Sequence, residues 1–100
     1  MQIKIENKII MEISQADLKC LKNDLLDPED WFVKALEGKI NNCKKRLIRE
    51  WHPKLMADPN VDTIPANEEE FINFVTSRSD YKNRAEREKE AEKNKGENLI

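Results

Sequence analysis

The longest regular pattern of apolar and polar residues runs from Asp27 to Pro53 and predicts an amphipathic helix. Its apolar residues recur at spacings of three and four, which places them on one helical face. They are Phe32, Ala35, Leu36, Ile40, Cys43, Leu47 and Trp51. Asp27 can cap the first amides and Pro28 suits the first helical position. Pro53 lacks an amide hydrogen and is expected to end the helix, so the pattern predicts a helix over residues 28–51.

The N-terminal residues alternate instead with the period of a strand. Their apolar positions are Ile3, Ile5, Ile9, Met11 and Ile13, and Ile10 departs from the alternation. Glu6, Asn7 and Lys8 offer a turn, so the pattern predicts a β-hairpin over residues 2–13. An isolated hairpin is barely stable in water, so it must pack on a helix or pair with another chain.

Two further helices are indicated by capping residues. Ser14 followed by Asp17 predicts a helix over about residues 15–26, and Asn67 followed by Glu70 predicts one over about residues 67–77. The prolines at 53, 59 and 65 favour turns between the helices, and the apolar residues among them predict a loop that lies against the core. The expected core comprises Leu18, Leu21, Leu25, Phe32, Leu36, Ile40, Cys43, Leu47, Trp51, Ile64, Phe71 and Val75.

These elements predict an α+β fold that is mainly α, with a short N-terminal β-hairpin packed on three helices in a single small domain over residues 1–81. Residues 82–100 are highly charged and contain almost no apolar residue before Leu99. They are expected to form a charged C-terminal tail that is either a solvated helix or disordered until a partner orders it.

Charge and hydropathy narrow the possible settings of the protein. The chain has 18 basic and 20 acidic residues, a formal net charge of −2, so it has no broad positive field for nucleic acid or anionic lipid. No apolar run approaches the roughly 20 residues that span a bilayer, and Met1 to Ile10 lack a signal-peptide layout. We therefore expect an intracellular protein that does not bind membranes.

Catalytic motifs are missing from the sequence. The two glycines, Gly38 and Gly96, do not form a phosphate-binding loop, and no Ser/His/Asp or paired-carboxylate arrangement has local support. Cys43 is expected to act as a small hydrophobe, with a redox role as the alternative, and His52 has no second metal ligand nearby. The sequence predicts a non-enzyme without catalytic, cofactor-binding or metal-binding residues.

One surface invites a nucleic-acid hypothesis. Lys34, Lys45 and Arg49 fall opposite the apolar stripe of the long helix and form candidate phosphate contacts. However, acidic Glu37 and Glu50 interrupt the edges of this surface, and no exposed aromatic is interleaved for base stacking. A solvated or protein-facing surface is favoured, and nucleic-acid binding or host regulation is the alternative.

Protein binding is the favoured function. The candidate interface residues are Ile3, Ile5, Ile9, Trp31 and Tyr81. Large aromatics often anchor interfaces, but tryptophans beside a helix also serve as core residues; Trp51 is assigned to the core and Trp31 is left open between the two roles. We expect a non-catalytic interaction module that acts by self-association, as a homo-oligomer, or by docking.

Two resemblances bear on this interpretation. Residues 44–53 resemble the basic second helix of J-domain cochaperones running into their His-Pro-Asp loop, although Lys54 replaces the aspartate. Across nearly the whole chain, the sequence resembles a group of small tailed-bacteriophage proteins of unknown function. The segments that carry this resemblance are residues 41–47, 50–51, 53–58, 64–67 and 80–84. It implies a phage structural or assembly-related protein in the host cytoplasm or virion, with phage structural proteins as possible partners, and implies no site residues.

Overall fold

The computed structural model describes residues 1–97, which form a β-hairpin and four helices. The elements are β1 (Gln2–Ile5), β2 (Lys8–Glu12), α1 (Gln15–Asp24), α2 (Pro28–Ala57), α3 (Glu68–Thr76) and α4 (Arg84–Glu97). The predicted class, mainly α with a short N-terminal hairpin, is confirmed. The chain separates into two compact units, Met1–Asn42 and Cys43–Ile100, which we call the N-terminal and C-terminal units. The single domain expected over residues 1–81 stays a prediction, since two compact units can belong to one domain.

The hairpin is antiparallel and irregular at one point. Its two-residue loop, Glu6 and Asn7, has positive φ at both positions (51° and 64°), as in a type I′ turn. Ile3 lies opposite Met11, whereas the next residue, Lys4, lies opposite Ile9. Ile10 is therefore the extra residue of a β-bulge. The bulge puts Met11 on the face of Ile3 and Ile9 on the face of Lys4, so the apolar residues of the alternation do not share one face.

Helix α1 begins where its capping residue predicts. The Ser14 hydroxyl accepts a hydrogen bond from the Asp17 amide at 3.1 Å. The helix ends at Asp24, two residues before the predicted end at 26. None of its residues is buried, although it contributes Leu18 and Leu21 to the expected core.

Helix α2 begins as predicted but ends six residues later than expected, at Ala57 rather than 51. Asp27 caps it by accepting a hydrogen bond from the Asp30 amide at 3.1 Å. The prediction that Pro53 ends the helix is wrong, because Pro53 lies inside it. An interior proline costs about 3 kcal/mol. Burial of Trp51 and Leu55 on the two sides of Pro53 offsets this cost, since each such side chain contributes about 1.5–3 kcal/mol.

The C-terminal unit contains the hydrophobic core. Trp51 and Leu55 from α2 and Phe71 and Val75 from α3 form it. Partly buried residues that pack against it are Leu47, Ile48, Val61, Ile64, Phe74 and Tyr81. The loop between the helices thus packs on the core, as its apolar residues predict.

Two caps define the remaining helices. The Asn67 side chain accepts a hydrogen bond from the Glu70 amide at 3.0 Å, and α3 lies within one residue of the predicted bounds at each end. Asn83 and Glu86 form a reciprocal capping box, in which each side chain accepts a hydrogen bond from the other residue's amide, at 2.9 and 3.2 Å. The start of the charged tail is accordingly helical in this structure, and residues 98–100 lie outside the described residues.

The expected core is only partly observed. Of its members, Trp51, Phe71 and Val75 are buried. Leu36, Ile40 and Cys43 are exposed, and the others are partly exposed: Leu18, Leu21, Leu25, Phe32, Leu47 and Ile64. The prediction was wrong for the first half of the α2 stripe because a helical pattern identifies a face that needs a partner without identifying an element that covers it.

Candidate protein-interaction surface

Most large hydrophobic side chains of the N-terminal unit are exposed. Nine of them form what we call the N-terminal apolar surface: Ile5, Ile9, Ile10, Met11, Leu26, Trp31, Val33, Leu36 and Ile40. The structure describes all residues of this unit, and none of its large hydrophobic side chains belongs to the buried core. Single exposed apolar residues are common on monomeric proteins, but here a unit that exposes nine of them contributes none to the buried core. This surface is the candidate interaction site.

The hairpin supplies both side chains and backbone to this surface. Of the predicted interface residues, Ile5 and Ile9 are exposed and Ile3 is partly exposed. Among residues 1–97 the sheet consists of β1 and β2 alone, so both strands are edges there and each presents an outward row of backbone donors and acceptors. The hairpin can therefore bind another chain through side chains or by adding a strand.

Trp31 lies at a second part of the surface, in an apolar groove of the N-terminal unit. The groove has a volume of about 530 Å³ and is lined by Met11, Ile13, Asp17, Cys20, Leu21, Asp24, Leu25 and Trp31. The indole is 55% exposed, which excludes a fully buried core position within this structure. A half-exposed tryptophan in a groove is suited to anchor a partner, and its interface role stays a prediction.

Tyr81 is placed differently from the other candidate interface residues. It is partly buried and packs against the core of the C-terminal unit, with its ring centroid 6.1 Å from that of Trp51. Its amide donates a hydrogen bond to the Arg78 carbonyl at 3.2 Å. The turn before Tyr81 brings the ring back onto the core. This side chain therefore packs at the edge of the core and is not part of the N-terminal apolar surface.

Arg78 joins two acidic residues in a cluster that the sequence did not reveal. Its Nη2 lies 2.9 Å from an Asp58 carboxylate oxygen, and its Nε lies 2.9 Å from Asp80 Oδ1. The Asn60 amide and then Arg78 lower the pKa of Asp58, and the Arg78 hydrogen bond lowers that of Asp80. Hydrogen bonds to Asp80 and Asp58 raise the Arg78 pKa above its ordinary value.

This cluster links two segments of the C-terminal unit beside its core. Arg78 also lies 5.9 Å from the centroid of the Trp51 ring, at the edge of the core. Its guanidinium uses Nε and Nη2 on the two carboxylates, which joins the loop after α2 to the turn after α3. A lone Arg at position 78 carries no local signal of these partners, because one of them is 20 residues away in the chain.

The candidate phosphate contacts differ in their surroundings. Lys34 forms an ion pair with Asp30, with Nζ and Oδ2 2.9 Å apart. Lys45 and Arg49 are exposed, and within residues 1–97 neither forms an ion pair. The positive charge is therefore partly neutralised at one of the three positions. Their role in binding nucleic acid stays a prediction.

The remaining candidate chemical groups form no site in the described part of the chain. Cys20 and Cys43 are both unpaired and exposed, so the prediction that Cys43 is a buried small hydrophobe is wrong. His52 stacks on Phe71 with ring centroids 6.2 Å apart. His52 and Pro53 lie within α2, whereas the J-domain motif that they resemble is a loop. Among the described residues, no cluster of three potential metal ligands occurs and no helix is long and apolar enough to cross a membrane.

Comparisons of this chain with known protein families, with curated proteins and with solved structures find no match.

Proposed function

We propose that this protein is a non-catalytic interaction module that self-associates through the N-terminal apolar surface. The observation that carries the proposal is the contrast between the two units. Large hydrophobic side chains are exposed in the N-terminal unit, whereas the C-terminal unit buries Trp51, Leu55, Phe71 and Val75. Burial of this surface against a second copy of the chain would therefore be favourable, because it removes apolar area from water.

The expected energetics support association. Full burial of one large hydrophobic side chain contributes about 1.5–3 kcal/mol, and association costs about 4–15 kcal/mol in lost freedom. Half-exposed residues gain only part of that contribution, so several of the nine must be covered together. A partner that covers Met11 of the hairpin together with Trp31, which line the same groove, and further members of the surface meets this requirement.

The proposed biological setting is the structure or assembly of a tailed bacteriophage, in the host cytoplasm or the virion. What supports this setting is the sequence resemblance carried by residues 41–47 and 53–58, among others. In that setting the partner is a second copy of the chain or a phage structural protein. The absence of a catalytic arrangement in the sequence supports an interaction role over an enzymatic one.

Size-exclusion chromatography with light scattering tests the proposal. We expect the wild-type protein to form a defined oligomer. Ile9→Asp should lower the molar mass measured by light scattering, because a charge within the N-terminal apolar surface would dissociate the oligomer. Met56→Asp is the matched control, because Met56 is an exposed apolar residue of the C-terminal unit. Its mass should equal that of the wild type. Circular dichroism would verify that both variants retain their helices, and a wild-type monomer at high concentration would contradict the proposal.

Trp31→Ala tests the groove separately from the hairpin. We expect a weaker oligomer with unchanged circular dichroism, because Trp31 is half exposed in the groove. Loss of folding would instead assign the indole to the structural core.

The alternative function is nucleic-acid binding through α2. The observation that favours it is the exposure of Lys45 and Arg49 without an ion pair among the described residues. Absorbance at 260 nm during the same chromatography would detect bound nucleic acid at low salt. If the alternative holds, reversing the charges of Lys45 and Arg49 removes the nucleic acid while the protein mass is unchanged.

A further inference from the structure

Helix α2 exposes a regular apolar seam that contains three residues of the N-terminal apolar surface and continues to Cys43 of the C-terminal unit. Val33, Leu36, Ile40 and Cys43 follow one another at spacings of three, four and three residues, and we call them the α2 seam. All four are exposed, with Leu36 at 45% and Ile40 at 43%. The 3-4-3 spacing is that of the a and d positions in a coiled coil, with β-branched residues at a and leucine at the first d. This pattern suits packing against one further helix.

The charges along α2 are distributed unevenly. Residues 28–37 contain Glu29, Asp30 and Glu37 against Lys34, which gives a net charge of −2. Residues 38–49 contain five basic residues and no acidic one, which gives +5. The two ends of the region that carries the seam therefore have opposite charges.

We propose that the α2 seam pairs with the α2 seam of a second copy in antiparallel orientation. This inference rests on the self-association proposed above and names its geometry. Antiparallel pairing places the acidic first part of one helix beside the basic part of the other, and it also opposes the helix dipoles. Parallel pairing places two segments of charge +5 side by side. The charge distribution thus makes the helix complementary to itself in one orientation.

The helix is well prepared for this contact. Its N-terminus is capped by Asp27 and carries the Asp30–Lys34 ion pair, while Trp51 and Leu55 anchor its C-terminal part in a core. The seam spans about 15 Å, or three turns, which is short for an isolated coiled coil. Because the seam belongs to a longer helix stabilised at both ends, little additional ordering is needed when a partner binds.

A charge within the seam tests whether this face is used. Leu36→Lys should raise the dimer dissociation constant at least about tenfold, because a lysine would be placed in the apolar contact. Asn41→Lys is the matched control, since it adds the same charge about 120° around α2 from the centre of the seam and should leave the constant almost unchanged. Sedimentation equilibrium would measure both constants.

Spin labels test the orientation. In a protein with Cys20→Ser and Cys43→Ala, which keeps position 43 of the seam apolar, nitroxides would be attached at Glu29→Cys in one sample and at Lys39→Cys in another, and electron–electron distances measured. Antiparallel helices that cross near the middle of the seam separate the two position-29 labels by about 27 Å along the axis, but keep the position-39 labels close. Parallel helices give similar short distances at both positions.

The outcomes separate this inference from the proposed function. A dimer that Leu36→Lys dissociates, with a long distance at position 29 and a short one at position 39, supports the antiparallel seam. A dimer that survives Leu36→Lys overturns the seam but leaves self-association through the hairpin. Two short distances overturn the antiparallel orientation, and a wild-type monomer overturns both proposals. Added sodium chloride should weaken an antiparallel dimer, and a salt-strengthened dimer counts against it.

Discussion

Within the single helix α2, Leu55 is 1% exposed while Leu36 and Ile40 are 45% and 43% exposed. Both parts of the helix carry apolar residues at helical spacing. They differ in what the described structure provides to cover them. In the C-terminal unit, Phe71 and Val75 of α3 pack with Leu55, whereas no buried cluster forms in the N-terminal unit. An amphipathic pattern thus shows that a face needs a partner and leaves open whether that partner is the same chain or another.

Truncation of Leu55 is expected to give the largest effect on this contrast. Leu55→Ala should lower the free energy of unfolding by about 2–5 kcal/mol, because it leaves a cavity in the core. Leu36→Ala, the same change in the exposed part of α2, should lower it by less than about 1 kcal/mol at concentrations where the protein is monomeric. Urea denaturation followed by circular dichroism measures both. Equal effects would show that the N-terminal unit buries Leu36 in solution.

Replacement of Pro53 tests the cost of keeping the core segment helical. Pro53→Ala should raise the free energy of unfolding by about 1 kcal/mol. Alanine restores an amide donor for the Arg49 carbonyl, which stabilises the helix. The gain is smaller than the full helical cost of proline because the unfolded chain also becomes less rigid without proline. Thermal and urea unfolding would show the increase. A decrease would mean that the proline ring itself makes packing contacts that outweigh the missing hydrogen bond.

Gly38→Ala applies a similar test to the exposed half of α2. A Cβ at position 38 meets no atom within 4 Å, so alanine should stabilise the helix by about 0.5–1 kcal/mol. Helix content by circular dichroism and the unfolding midpoint should both rise. Should the variant instead lose its oligomeric state, the outer face of α2 would be identified as a contact surface.

The smallest expected effect concerns pH and the Arg78 cluster. The folded state lowers the pKa of Asp58 and Asp80. Their contribution to the free energy of unfolding is therefore fully present above the ordinary pKa of 3.8 and is lost as the pH falls through the lower pKa values of the folded state. Arg78→Gln should therefore lower the thermal unfolding midpoint at pH 6. It should also reduce the fall in that midpoint as the pH is lowered from 4 to 2. Arg84→Gln is a control, because Arg84 pairs on the exposed face of α4 with Glu88. If the thermal unfolding midpoint of Arg78→Gln depends on pH as that of the wild type does, the cluster does not stabilise the fold.

Nearby residues in the sequence predict where the helices begin, whereas burial and partner contacts depend on residues that are distant in the chain. Ser14, Asp27 and Asn67 each cap the helix they were expected to cap, since a cap depends on residues three positions apart. The end of α2 was missed because burial of Leu55 outweighs the local effect of Pro53. For the candidate site, exposure of Ile5, Ile9 and Trp31 agrees with the expected interface, but their binding role depends on a partner that sequence periodicity does not identify.

The turn of the hairpin has a thermodynamic consequence for association. Glu6 and Asn7 both adopt positive φ, and neither is glycine, the residue that adopts this conformation without steric cost. Asparagine tolerates this conformation, so the steric cost falls mainly on Glu6, and contacts that order the strands offset it. If self-association uses the hairpin, folding of this segment and binding become linked equilibria, so the fraction of ordered hairpin rises with protein concentration.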